Sequence, residues 1–132
     1  MSGEFVDSSI VIYSVDIEFV KRRKALAILT ENPVISLQVL NETANTLRRE
    51  LKFQIPEVRR ILTKLMQQCR VHALEPSRVF SALNIAERYG FSHYDSVIVA
   101  TALEAGCTTL FSEDMQDGQI IEGRLTVVNP FR

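Results

Sequence analysis

Tyr94-Asp-Ser-Val-Ile-Val-Ala-Thr-Ala-Leu-Glu-Ala-Gly-Cys-Thr-Thr-Leu-Phe-Ser-Glu-Asp-Met-Gln-Asp-Gly118 is the stretch that decides the fold. Asp95-Ser96 reads as a helix N-cap pair. Val97 to Leu103 carries no charge, and Thr101 is its only polar residue. A helix apolar on nearly every side must be buried on nearly every side. Gly106 suits the left-handed residue that ends such a helix. Thr109 to Ser112 reads as a short strand running straight into Glu113-Asp114. An acid therefore opens the central helix, and further acids close the strand after it.

Working outward, Glu4-Phe-Val-Asp7 is a short apolar strand ending in an acid. Asp7 to Ser9 can cap a helical turn, and the carboxyl end of a first strand is also where open α/β sheets place ligands. Residues 17–31 read as a helix with Phe19, Val20, Ala25, Leu26, Ile28 and Leu29 on its apolar face, stopped by Asn32-Pro33. Lys21-Arg-Arg-Lys24 is read mostly as a solvated face of that helix, with contact to a phosphate backbone as the alternative. Val34 to Ser36 is a second strand. A helix follows from Leu37 to Leu51, with Leu37, Leu40, Ala44, Leu47 and Leu51 at spacings of three and four. Glu42 lies in its second turn. Pro56 opens a further helix at a favoured position, with Val58, Ile61, Leu62, Leu65, Met66 and Cys69 facing inward, and the two form an αα-hairpin. Val71 to Leu74 is a third strand, in which His72 has no ligand-spaced partner and no chemical role. Pro76 opens a helix to Tyr89, apolar at Val79, Ala82, Leu83, Ile85 and Ala86, and Gly90 ends it. His93 stands two residues from Asp95. Asp117-Gly118 is a turn, and Leu125 to Val128 is the last strand.

This alternation predicts a single α/β domain over residues 1–132, a three-layer fold with a mainly parallel sheet of about five short strands and helices on both faces. Its 132 residues suffice for one core. The longest apolar run is far shorter than the ~18 residues of a membrane span, and no secretory signal pattern opens the sequence. Cys69 and Cys107 lie outside any metal spacing and suit buried free thiols in a reducing cytoplasm. The net charge of −1 argues against strong, indiscriminate nucleic-acid binding. It is unevenly spread: residues 1–70 hold 11 Lys/Arg against 8 Asp/Glu, and residues 71–132 hold 4 against 8. Such asymmetry suits a site where a cation holds acids while basic groups meet phosphate, though surface charge also fluctuates by this much.

In a parallel sheet Asp7, Glu42, Asp95 and Asp114 fall at comparable strand–helix junctions on one edge. Gathered like charges raise one another's pKa and call for a counter-charge. Hard divalent cations such as Mg²⁺ prefer oxygen ligands, and no Cys/His set competes for zinc. The inferred chemistry is metal-assisted phosphodiester hydrolysis, in which the cation lowers the pKa of a bound water and neutralises phosphoryl charge. Three of the four acids also have a capping or a surface explanation.

The segments Phe5-Val-Asp7-Ser-Ser-Ile-Val-Ile-Tyr13, Ile35-Ser-Leu-Gln-Val-Leu-Asn-Glu42, Tyr94-Asp-Ser-Val-Ile-Val-Ala100 through Gly106-Cys107, Leu110-Phe-Ser-Glu-Asp114-Met-Gln-Asp-Gly118 and Val128-Asn-Pro-Phe131 occur in this order across essentially the whole chain. In these the sequence resembles PIN-domain proteins, close to the VapC-type toxin ribonucleases of toxin–antitoxin pairs. The resemblance implies an endoribonuclease dependent on Mg²⁺, with Mn²⁺ as substitute. Asp7, Glu42, Asp95 and Asp114 match the family's acidic quartet. Asp7, Asp95 and Asp114 would hold the metal, with Glu42 as a ligand or a positioner of the attacking water. Ser8 and Ser112 match its small hydroxyl positions beside the metal, and Asp117 an outer-shell acid. The resemblance further implies an RNA substrate, a homodimer, and a small antitoxin whose peptide occupies a groove beside the first helices. Ser9 departs from the family's usual Asn, and Thr43 from its usual Phe. Two other classes fit less of the sequence: a non-catalytic module of the same fold that binds RNA or a partner, and a phosphohydrolase using Asp7 as nucleophile. The latter usually carries a second aspartate where this chain has Ser9.

Overall fold

The structure is a computed structural model and describes residues 3–73 and 75–132. The strands are β1 (Glu4–Val6), β2 (Val34–Ser36), β3 (Arg70–His72), β4 (Thr109–Phe111), β5 (Ile120–Ile121) and β6 (Leu125–Val128). The helices are α1 (Ser8–Tyr13), α2 (Phe19–Leu29), α3 (Leu37–Arg49), α4 (Ile55–Gln68), α5 (Ser77–Tyr89) and α6 (His93–Glu104). Among the described residues the strands form one sheet in the order β3-β2-β1-β4-β6-β5. Every pairing is parallel except β5 with β6. The α/β architecture with a mainly parallel sheet is thus as expected, with one strand more than the five anticipated. Two-residue β5 carries too little periodicity to be read from sequence. The expected strand over residues 71–74 begins one residue earlier and ends at His72, and Leu74 lies outside the described residues.

Parallel strands covered by helices on both faces must be apolar on both faces. Accordingly Phe5, Val6, Ile35, Leu110 and Val127 are fully buried. Phe5 sits in register with Val34 on one side and Leu110 on the other. Over this sheet lies α6, in which every residue from Ser96 to Ala102 is buried. Thr101 survives there because its hydroxyl donates to the Val97 carbonyl at 2.8 Å. Gly106 has φ +76°, the left-handed turn expected after the helix.

Three expectations are corrected. The cap of α6 is Ser92, not the Asp95-Ser96 pair: the Ser92 hydroxyl accepts from the Asp95 amide, so the helix starts at His93 and Asp95 lies in its first turn. That frees the Asp95 carboxylate from capping. In α2, only Ala25 and Leu29 are buried, while Phe19 is 57% exposed and Val20 58%. Phe19 instead lies beneath the Arg22 and Arg23 guanidiniums, an arrangement that shields an aromatic ring without a core. In α3 the buried line is Gln38, Val39, Thr43 and Leu47, and the flanking Leu37 and Leu51 are partly exposed. Gln38, though polar, can be buried because its side-chain amide donates to the Glu42 carboxylate and to the Tyr94 carbonyl. Leu47 then packs on Val58 and Ile61 of α4, closing the expected hairpin. Met66 of α4, and Val79 and Leu83 of α5, also remain exposed.

Candidate active site

From β1 the chain proceeds outward to β2 and β3, then returns to lay β4 against the other side of β1. Strand order therefore reverses between β1 and β4, and open α/β sheets bind ligands beyond the carboxyl ends of the strands at such a reversal. Asp7 follows β1 directly, and Ser112 to Asp114 follows β4. The Asp7 amide donates to the Phe111 carbonyl at 3.0 Å, fastening the two strand ends together.

Asp7 caps α1 with one carboxylate oxygen, accepting from the Ser8 amide at 2.7 Å. Its other oxygen accepts from the Ser112 hydroxyl at 2.9 Å. The same Ser112 oxygen accepts from the Asp114 amide at 3.2 Å. Glu42 comes in from α3. One oxygen accepts from the Ser8 hydroxyl at 3.1 Å, and the other from the Gln38 amide at 3.3 Å. Gln38 also donates to the Tyr94 carbonyl at 3.3 Å, tying α3 to the start of α6 beside Asp95.

These acids feel one another. Burial pushes Asp7, 5% exposed, up to about 6; the Ser112 and Ser8 hydrogen bonds oppose the rise, and the charges of Glu42 and Asp114 add to it. Asp114 is raised by burial and by the charges of Asp95 and Glu113. Among the described residues none of the four acids has a Lys or Arg ion-pair partner. A cup of carboxylates without an internal cation suits an external one. The donors are carboxylate and hydroxyl oxygens only, the set a hard cation prefers. Among the described residues no three acids or histidines are close enough to chelate one ion directly. A hard cation bound through one or two carboxylates and several retained waters is compatible with that spacing.

The PIN-domain profile matches residues 5–116, most of the sequence and all four acids. The chain belongs to the PIN-domain family. Its solved neighbours share the fold at low identity. A toxin–antitoxin complex from Klebsiella pneumoniae is 22% identical, with 96% of this chain and 97% of that chain covered and a TM-score of 0.71. Mycobacterium tuberculosis VapC20, described as a Sarcin-Ricin loop cleaving toxin, is 18% identical, with coverage of 84% and 89% and a TM-score of 0.65. FitAcB from Neisseria gonorrhoeae is 16% identical, with coverage of 97% and 98% and a TM-score of 0.67. A search of curated proteins gives no match.

In this PIN domain both departures from the family pattern have a structural outcome. Ser9 accepts from the Glu113 amide at 3.2 Å, so it holds the turn after β4 and not Asp7 itself. Thr43 is 1% exposed, and its hydroxyl has no hydrogen-bond partner among the described residues. Of the other expected residues, Ser8 and Ser112 bond the quartet directly. Asp117 lies exposed at its turn and accepts from the Asn129 amide at 2.8 Å; no hydrogen bond or ion pair among the described residues joins it to the four acids. His93 is exposed and edge-on to Tyr94 at 5.3 Å.

Two supports escaped the sequence reading. Gln38 was legible in principle as the i−4 partner of Glu42. The other was not local: Glu113 accepts from the Tyr13 hydroxyl and from Lys21, each at 2.8 Å. The Lys21 ammonium also lies 4.6 Å from the Tyr13 ring centroid and 5.3 Å from that of Phe131. Burial would raise Glu113, but Lys21 and Tyr13 outweigh it and hold its carboxyl below the ordinary glutamate value. Lys21 thus belongs to a fixed pair beside Asp114 and not to a free basic face.

Proposed function

We propose that this PIN domain is a Mg²⁺- or Mn²⁺-dependent endoribonuclease, the toxin of a toxin–antitoxin pair. The supporting observation is the convergence of Asp7, Glu42 and Asp114 at the strand-order reversal, with Asp95 beside Asp114 and no cation among them. Asp7, Asp95 and Asp114 would hold the metal, in part through waters that it retains. When bound, the cation lowers the pKa of water and neutralises charge developing on the phosphoryl oxygens. The rest falls to the chain. The Ser8 amide and Ser112 hydroxyl fix both oxygens of Asp7. Ser8 and Gln38 hold the two oxygens of Glu42, which is placed to orient the attacking water and take its proton. Asp117 acts as an outer acid.

The toxin role rests on the family and on the toxin–antitoxin neighbours. It brings a small antitoxin partner, a homodimeric state and a cytoplasmic setting. Cys69 and Cys107 are buried free thiols, and burial pushes Cys69 up to about 12, which suits inert groups in a reducing compartment. No helix among the described residues is long and apolar enough to cross a membrane.

Single-stranded RNA incubated with the protein in Mg²⁺, with and without EDTA, tests the proposal. The expected result is internal cleavage that EDTA abolishes and Mn²⁺ restores. Cleavage indifferent to EDTA overturns it. So does the absence of cleavage from metal-loaded, folded protein, which leaves a binding module of the same fold.

A further inference from the structure

Two grooves flank the acids, and they differ in charge. One, of about 300 Å³, runs past Ser8 and Ser9 and is lined by Asp16, Glu50, Glu113 and Asp114. Of these only Glu113 has a cation paired to it among the described residues. A polyanion is repelled from such a wall. The other, of about 450 Å³, lies between α3 and the first turn of α6 and carries a single carboxylate, Glu42, itself a member of the quartet. Its remaining polar groups are carboxamides: Gln38, Asn41 and Asn45, which share one face of α3 at spacings of three and four. Facing them are His93 and Tyr94. The Tyr94 ring is 64% exposed, and its backbone carbonyl is held by Gln38.

Resting on the nuclease reading above, we propose that this second groove receives an unpaired nucleobase of the strand being cut, stacked on Tyr94 and read at its edge by Asn41 and Asn45. Bases splayed from single strands stack on aromatic rings and hydrogen-bond through their edges to polar side chains. The groove meets both needs. It shares Glu42 with the acids, so a nucleotide in it lies next to the phosphate they would hold. Its floor includes Leu37, Val79 and Val97, apolar surface against which a flat heterocycle loses water. A duplex offers no free base, so the groove selects for unpaired RNA without reading the backbone.

The chain contains no tryptophan. Tyr94→Trp therefore installs a single fluorescent reporter at the stacking position. In an Asp7→Asn background, which retains a capping residue for α1 while blocking cleavage, a twelve-nucleotide oligoadenylate in Mg²⁺ should quench that fluorescence, and the matching duplex should not. Asn41→Ala with Asn45→Ala should weaken the quench and change its order among A, C, G and U oligomers. In turnover, Tyr94→Ala should raise KM by roughly tenfold or more with kcat within about threefold, and Tyr94→Phe should restore it. No quench by single strands, or equal quench by duplex, overturns the proposal. So does a Tyr94→Ala variant that changes the molecular mass in light scattering, which makes this face a contact between protein chains. RNA cleavage with KM unmoved by Tyr94→Ala sinks the base groove alone. A quench restricted to single strands, with no cleavage by wild type, sinks the nuclease reading alone.

Discussion

The two ends of α6 treat carboxylates in opposite ways. At the far end Glu104 is ion-paired with Arg78 and lies 3.4 Å from His72. Nearby on the β5–β6 connection, Glu122 accepts from Arg88 at 2.5 Å and from the Tyr89 hydroxyl at 2.8 Å, which hold its carboxyl below the usual value. At the near end Asp95 joins Asp7, Glu42 and Asp114, none with a Lys or Arg partner among the described residues. Asp7 and Asp114 are pushed up where Glu122 is pulled down. A chain with 15 Lys and Arg has the means to neutralise four acids. It places cations on those that tie elements together and leaves the acids at the strand-order reversal unmatched. The paired acids tie elements of the fold together; among the described residues the four at the strand ends lack that compensation.

Exchanging one acid at each end breaks this contrast most sharply. Asp95→Asn is expected to lower RNA cleavage by roughly a hundredfold or more, with the thermal midpoint preserved or raised. Glu104→Gln should leave cleavage within about twofold and lose roughly 1 kcal/mol of stability, since the pair is partly exposed. Equal loss of cleavage in both would erase the distinction.

The strain at the near end is itself measurable. Burial pushes the Asp7 carboxyl up to about 6 in the folded protein, above the ordinary aspartate range. The folded protein thus binds a proton that the unfolded chain releases, and metal-free stability falls as pH rises from about 4 to about 6, then levels. Asp7→Asn removes that penalty. At pH 8 and without divalent ions it should stabilise the protein by about 2–3 kcal/mol at most, an advantage that fades by pH 4. Calorimetric midpoints across this range, with and without Mg²⁺, check it; a midpoint lowered at pH 8 would mean the carboxylate is stabilised by its surroundings.

The smallest effect tests a polar group that is unmatched without being functional. Thr43→Val keeps the shape and removes a buried hydroxyl that lacks a partner. It should gain about 1 kcal/mol in denaturant unfolding and leave cleavage untouched. Lost cleavage would place that hydroxyl in the site.

What was legible in the sequence follows from the same physics. The β2 segment stands out as an apolar run after Asn32-Pro33, β6 as one between Gly123 and Asn129-Pro130, and α6 declares itself by the uncharged stretch from Val97 to Leu103. The acids could be placed because Asp7 and Asp114 come soon after strands, Asp95 lies near the opening of a helix and Glu42 lies in the second turn of the helix after β2. The faces of α2 and α3 could not be read by apolarity alone. Phe19 and Val20 are apolar yet exposed, and Gln38 and Thr43 are polar yet buried. The true cap of α6 was hidden because Ser92 and Asp95 are both good capping residues, and only geometry shows which accepts from which. The Lys21–Glu113 pair joins positions 92 residues apart, a separation that no local pattern reports.

Ser112 gives the arrangement a last consequence. A hydroxyl owns one hydrogen, and here it is spent on Asp7 while the oxygen receives the Asp114 amide. Any shift of the turn carrying Asp114 therefore tugs, through Ser112, on a carboxylate 105 positions before that serine. The two acids answer to a common tether, and neither can be retuned in isolation.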